Sequence, residues 1–144
     1  SYYYTGKHPA FAFGCAVPGA LLAPTMDAQK GNIYIALYRW QSGELTEAAP
    51  AKVCSHTAAA AELAAQDGPV VVLGEAVKLY PETFRQAGLC LAEPHIAMPR
   101  AGNVAGLGCR MLAAGIRHDV MALEPFYIRR SEAEELWEKR RGCR

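Results

Sequence analysis

Three acids stand where apolar runs end: Asp27 after Leu21 to Met26, Glu75 after the run Pro69 to Gly74, and Glu93 after Leu89 to Ala92. Carboxylates gathered on one edge of a sheet can hold two divalent ions about 4 Å apart and hydrolyse a phosphodiester. The local reading is that Asp27 opens a turn by bonding its own backbone, while Glu75 and Glu93 are solvated loop acids. Convergence separates the two, because carboxylates more than about 8 Å apart cannot share such a metal pair.

Other chemistry-bearing residues give less. Cys54-Ser55-His56 sets a thiol beside an imidazole, but a nucleophile needs its base placed in space, and neighbours in sequence often point apart. A core cysteine next to a helix-start histidine is the simpler expectation. His8, His56, His95 and His118 show no H-x-x-x-H spacing, so they do not form a zinc hydrolase motif. Arg129, Arg130, Lys139, Arg140, Arg141 and Arg144 cluster near the C-terminus, where they can meet RNA phosphates. Glu132, Glu134, Glu135 and Glu138 are interleaved with them at helical spacing, which favours a salt-bridged solvent face.

The elements that must position these residues follow from pattern. Leu21 to Met26 reads as a strand, Gly31 supplies a positive φ at the end of a hairpin loop, and Ile33 to Trp40 is apolar on both faces. That second strand is expected to be covered on both sides. Gln41-Ser42-Gly43-Glu44 is a turn, and Leu45 to about Lys52 returns as a weaker strand broken by Pro50. Ser55 caps an alanine-rich helix, His56 to Gln66, that stops at Asp67-Gly68. Pro69 to Leu73 is a short buried strand, Pro81 starts a helix ending near Gly88, and Leu89 to Ala92 is another strand. Asn103 caps a helix to about Ala114 with Gly115 at its C′ position, and the glycines and alanines of this helix suit close packing on a sheet. Ser131-Glu132-Ala133-Glu134 is a capping box for a last helix with an Ala133, Leu136 and Trp137 stripe.

A chain of 144 residues with 51% apolar content suits one core, and a formal net charge of +1 gives no bulk steering toward nucleic acid or anionic lipid. Five cysteines, odd in number and never in a C-x-x-C pair, fit a reducing cytoplasm better than a disulfide framework or zinc ribbon. No run approaches the 18 or so uninterrupted apolar residues of a membrane span. The aromatic opening from Tyr2 to Phe13 shows no clean period.

The predicted order, β-β-β-α-β-α-β-α plus a C-terminal helix, is that of the α/β ribonuclease-H-like fold, the lobe of actin-like ATPases, with a mixed sheet. In that topology the first, fourth and fifth strands are parallel and their C-terminal ends share an edge, the favoured place for ligands. Gly74 then resembles the strand-glycine step that approaches adenosine in actin-like ATPases. Such sites generally carry a second glycine; Glu75 stands there instead, and its bulk and charge oppose a nucleotide. No G-x-x-x-x-G-K-[ST] loop is present either, so no cofactor is expected.

Two motifs carry a closer resemblance. Met26-Asp27-Ala28-Gln29-Lys30-Gly31-Asn32-Ile33-Tyr34 is similar to a D-A-R-x-G-E-V-Y segment, and Leu123-Glu124-Pro125-Phe126-Tyr127-Ile128-Arg129-Arg130-Ser131-Glu132-Ala133-Glu134 is the more specific match. Over roughly Pro24 to Arg140 the chain resembles the C-terminal part of the bacterial TsaB (YeaZ) family, also labelled glycoprotease-like, although nothing here supplies a protease's ligands. Gln29 stands where arginine is usual and Asn32 where glutamate is usual, and the family's upstream lobe with its G-P-G-S-F-T-G-type segment is absent. In the family that lobe carries most of the contact with the partner TsaD. The resemblance implies that residues 1–20 are an interlobe connection or a remnant of that lobe, and residues 21–144 a C-terminal ribonuclease-H-like domain.

The resemblance further implies a non-catalytic, cytoplasmic subunit of the machinery that makes N6-threonylcarbamoyladenosine at position 37 of tRNA. A TsaD-like catalytic subunit and a TsaE-like ATPase are the implied partners, and tRNA is met through the complex. Asp27, Gly31, Tyr34, Pro125, Tyr127 and Arg129 are then structural motif positions. Two alternatives stand beside this: a metal-dependent phosphodiesterase using Asp27, Glu75 and Glu93, and a dimerisation module without catalysis, in which the aromatic opening packs onto a second copy.

Overall fold

The structure is a computed structural model and describes residues 7–98 and 100–117. In chain order the elements are α1 (Lys7–Phe13), β1 (Leu21–Asp27), β2 (Asn32–Gln41), β3 (Glu44–Ser55), α2 (His56–Ala64), β4 (Val70–Gly74), α3 (Glu75–Leu79), α4 (Pro81–Gln86), β5 (Cys90–Leu91), α5 (Pro94–Ala97) and α6 (Ala101–Ala113). Local chemistry sets many of the boundaries. Ser42 and Gly43 have φ of 50° and 81°, the left-handed pair that a tight turn between twisted strands requires. Ser55 Oγ accepts from the Ala58 N–H and caps α2. Pro81 begins α4, where a missing N–H costs nothing.

The strands form one five-stranded sheet in the order β3-β2-β1-β4-β5. β1 pairs antiparallel with β2 and parallel with β4, β2 pairs antiparallel with β3, and β4 pairs parallel with β5. This is the mixed α/β sheet of the ribonuclease-H-like, actin-like lobe that the element order predicts. The two apolar faces of β2 are both covered, as its pattern requires. Ile33, Ile35 and Leu37 face a core built with Ala59, Ala60 and Leu63 of α2, Ala76 of α3 and Phe84 of α4. Ala36 and Tyr38 face a second core built with Phe11 and Ala12 of α1 and Ala97 of α5.

Four features depart from the sequence expectation. β3 is not broken at Pro50 but runs through it, because β3 is an edge strand and the register slips beside that residue, between the Ile35 and Leu37 pairs. The aromatic opening contains α1, whose Phe11 and Ala12 are core residues despite the lack of a clean period. α3 follows directly on β4, where the pattern shows only a strand end. The last described helix starts at Ala101 with Arg100 at its N-cap and no side-chain cap; Asn103 is inside the first turn. None of the residues of α6 is buried, so it lies over α1 instead of closely on the sheet. Its C-terminus does end as read: Gly115 has φ of 76°, and the N–H groups of Gly115 and Ile116 bond the carbonyls of Leu112 and Met111. The capping box at Ser131 and the basic cluster from Arg129 onward lie outside the described residues.

His8, on α1, is fully buried, and neither ring nitrogen makes a well-formed hydrogen bond among the described residues, the Tyr34 backbone being only a weak contact. Burial holds its pKa below the usual histidine value, and the Tyr34 backbone offsets this only in part. The unfolded chain therefore binds a proton there at a pH where the folded chain does not. The stabilising contribution is complete above the unfolded histidine range, about pH 6.5, and is lost as pH falls toward the lowered folded value. Urea denaturation at pH 7.5 and at pH 5 should show a lower midpoint at the acidic value. His8→Leu should flatten that difference; an equal pH dependence in both proteins would assign it to other groups.

Candidate functional site

The C-terminal ends of β1 and β4 meet at the edge where ligands of this fold are expected. Their meeting is a backbone contact. Gly74 has φ of 95°, and a Cβ at this position would collide with the carbonyl of Thr25. Thr25, fully buried, closes the junction: its Oγ1 donates to the Leu73 carbonyl at 2.6 Å and accepts from the Ala76 N–H at 3.2 Å. The glycine that resembles an adenosine-approaching step is therefore occupied by the chain's own neighbouring strand. With Glu75 following it, the residues present do not fit a nucleotide at this step.

Glu75 is turned toward the same junction. Its Oε2 accepts from the backbone N–H of Asp27 at 2.7 Å, a charge-assisted bond across 48 residues of sequence. Asp27 in turn uses its own carboxylate locally, Oδ1 accepting from the Gln29 N–H at 3.0 Å, the Asx-turn geometry that opens the hairpin. Gly31 has φ of 78°, but Gln29 and Lys30 are also left-handed, with φ of 63° and 53°. A left-handed conformation costs a side-chain-bearing residue about 1 kcal/mol. Two bonds hold the loop in place, Ala28 N–H to the Asn32 carbonyl at 2.9 Å and Asn32 N–H to the Gln29 carbonyl at 3.0 Å.

The hairpin tip is also tied to the start of α2. The Gly31 carbonyl accepts from the His56 N–H at 3.1 Å. The His56 ring stacks on Tyr80 with centroids 4.1 Å apart and planes 3° from parallel, and its Nδ1 lies 3.1 Å from Thr83 Oγ1. The imidazole is thus committed to the α4 side. Burial pushes the Cys54 thiol up, Lys52 lowers it and Glu62 raises it, so the net direction is away from a reactive thiolate. The Cys54-Ser55-His56 sequence does not form a nucleophile with its base. Tyr34 sits in β2 opposite Met26 and Val53, one register step from the Asp27 and Ile33 pair.

Of the three acids, the structure brings Asp27 and Glu75 together through a main-chain bond, while Glu93 is exposed after β5. Among the described residues, no group of three or more His, Cys, Asp or Glu side chains is placed to hold a metal ion. The arrangement that two-metal hydrolysis needs is not built at this edge. Pro125, Tyr127 and Arg129 lie outside the described residues. Sequence reading missed Thr25, and the only signal for it was a lone hydroxyl inside an apolar run.

Comparison with known proteins follows the same lines. No family model matches the chain. The tRNA threonylcarbamoyladenosine biosynthesis protein TsaB of Bacillus subtilis (strain 168) is 30% identical over 122 residues, covering 81% of this chain and 51% of that protein. The protein of the same name from Escherichia coli (strain K12) is 28% identical over 123 residues, covering 81% and 50%. The chain spans about half the length of the curated relatives it matches. Two solved structures share the fold: a Pseudomonas aeruginosa protein described as similar to peptidase YEAZ, with a TM-score of 0.59 and 22% identity over 76% of this chain and 49% of its own, and YeaZ from Pseudomonas aeruginosa, with 0.52 and 20% over 74% and 47%. No described helix is long and apolar enough to cross a membrane.

The junction generates a set of substitutions read by urea denaturation. Gly74→Ala should cost about 2–4 kcal/mol, since a side chain is strained at this φ and has no room. Thr25→Val should cost about 1–3 kcal/mol by leaving a buried N–H without its acceptor. Glu75→Ala should cost about 1–2 kcal/mol and Glu75→Gln less, because the amide oxygen can still accept from Asp27. Addition of Mn²⁺ should leave the midpoint unchanged; a metal-dependent rise abolished by Glu75→Ala would restore the phosphodiesterase reading.

Proposed function

Because the chain belongs to the TsaB (YeaZ) family, we propose that it serves tRNA threonylcarbamoyladenosine formation as a non-catalytic scaffold, binding and stabilising a TsaD-like catalytic subunit. The names of the relatives support the process. The observation that carries the scaffold role is the sheet edge, where Thr25, Glu75 and the hairpin carbonyls and amides bond one another. Groups satisfied in this way hold a surface in shape. In support, no group of three or more metal-ligating side chains gathers among the described residues, and the Cys54 thiol is pushed away from the thiolate form.

On this reading the TsaD-like subunit performs the threonylcarbamoyl transfer, a TsaE-like ATPase joins the assembly, and tRNA is met through the complex. The motif positions Asp27, Gly31 and Tyr34 act by fixing the first hairpin, and Pro125, Tyr127 and Arg129 belong with them as structural positions. On the same reading residues 21–144 act as the supporting domain, and residues 1–20 as an interlobe connection or a remnant of the upstream lobe.

The test is reconstitution of tRNA modification with the other bacterial components, ATP, threonine, bicarbonate and tRNA, with nucleosides read by mass spectrometry. Three proteins are compared: the Bacillus subtilis relative, this chain, and a fusion of the relative's upstream half to this chain. The relative and the fusion should restore modification, and the chain alone should not. Modification that persists without the TsaD-like subunit would overturn the non-catalytic role. A fusion that is folded yet inactive beside a working relative would overturn the scaffold role of this domain.

A further inference from the structure

α6 is unlike every other helix of more than one turn in the described fold. Its 13 residues include none that is buried, and Val104 and Leu112 are 55% and 60% exposed. A helix of this length is marginal without tertiary support. Its own sequence weakens it further: Gly102 and Gly108 stand within it with open space where a side chain would be, and its N-cap, Arg100, makes no side-chain bond to the first turn. Two packing contacts rely on missing side chains. Gly106 leaves room for the Phe13 ring, and Gly14 leaves room for the Asn103 amide.

Among the described residues, one cation adds a further hold. The Arg110 guanidinium stands 5.1 Å from the centroid of the Phe13 ring and 5.7 Å from that of Trp40, and its Nη1 donates to the Gly43 carbonyl at 2.8 Å. The aromatic pair beneath it is fixed from the other side. Phe13 and Trp40 lie 5.6 Å apart in a tilted arrangement, and Trp40 Nε1 donates to the Cys15 carbonyl at 3.1 Å. The platform therefore belongs to α1 and the sheet, and the contacts that join its two rings to each other and to Cys15 do not involve α6. A groove of about 670 Å³ runs beside the contact, lined by Tyr38, Leu45, Leu107, Met111 and Ile116, so the helix is already separated from β2 and β3 along part of its length.

We propose that α6 is a conditionally docked cover: it leaves and rejoins the Phe13–Trp40 platform as a separate unit while the sheet and the two cores stay folded. Arg110 is the latch. Opening exposes an aromatic surface next to the β2–β3 turn, at the opposite end of β2 from the hairpin at Asp27. Stability is shared unevenly in this arrangement, with strand amides opening only with the whole domain and α6 amides opening locally.

Hydrogen exchange of the 144-residue chain, read residue by residue by NMR, tests this. Amides of Leu107–Ala113 should exchange at least about 100-fold faster than those of Ala23 and Val72, and low urea should accelerate only the strand amides. Arg110→Gln should speed α6 exchange about fivefold and leave the strands unchanged. Gly108→Ala, placed in open space, should slow α6 exchange about fivefold. If α6 and strand amides share one rate and one urea dependence, or if Arg110→Gln accelerates both sets equally, α6 is part of the cooperative core and the proposal fails.

Discussion

The close approach of β4 to β1 at Gly74 and Thr25 is the constraint on which the rest depends. β1 is the strand shared by the antiparallel and parallel parts of the sheet, so its separation from β4 sets where both parts meet. A side chain at residue 74 would force the strands apart, and the Thr25 hydroxyl, bonded to Leu73 and Ala76, could no longer span them. The same left-handed step turns the chain from β4 into α3. That turn carries Glu75 under the Asp27 amide, and the Asp27 hairpin then presents Gly31 to the first turn of α2. A steric fact about one missing Cβ is thus passed by hydrogen bonds to the surface.

This order of dependence gives the edge its character. In ribonuclease-H-like sheets the C-terminal strand ends commonly expose carboxylates or backbone amides to a ligand. Here the amide of Asp27 and the carboxylate of Glu75 satisfy each other, and the imidazole of His56 is stacked and bonded within the fold. Pairing a partly buried polar group offsets the cost of taking it out of water. The hydrogen-bonding capacity of this edge is thus used in part within the domain itself.

The sheet was legible in the sequence because its signals are local. The run Val70 to Leu73, the Ser42-Gly43 turn, the Ser55 cap, Pro81 and Gly115 each act within a few residues, and each stands where pattern placed it. What was not legible depends on distant partners. Pro50 is accommodated because β3 has no further neighbour among the described residues, a property of strand order. Asn103 has the chemistry of a cap but lies against Gly14. α1 is short and aromatic, and its burial is decided by the sheet beneath it. At the candidate site, the turn role of Asp27 could be read from Gly31, whereas Glu75 presents the same residue type as a metal ligand or a solvated acid. Its use as an acceptor for an amide 48 residues away is set by tertiary packing.

The path of β3 has a consequence for self-association. A 12-residue edge strand with a regular ladder on one side offers unpaired amides and carbonyls on the other, and such a strand can recruit a copy of itself without limit. Pro50 brings no amide N–H to the strand, and the register slips on either side of Leu37 interrupt the ladder beside it. Glu44, Glu47 and Lys52 place charge along it. Two short stretches remain where one continuous template would have been, so growth of fibrils through this edge is interrupted by the irregularity that makes the strand look broken in the sequence.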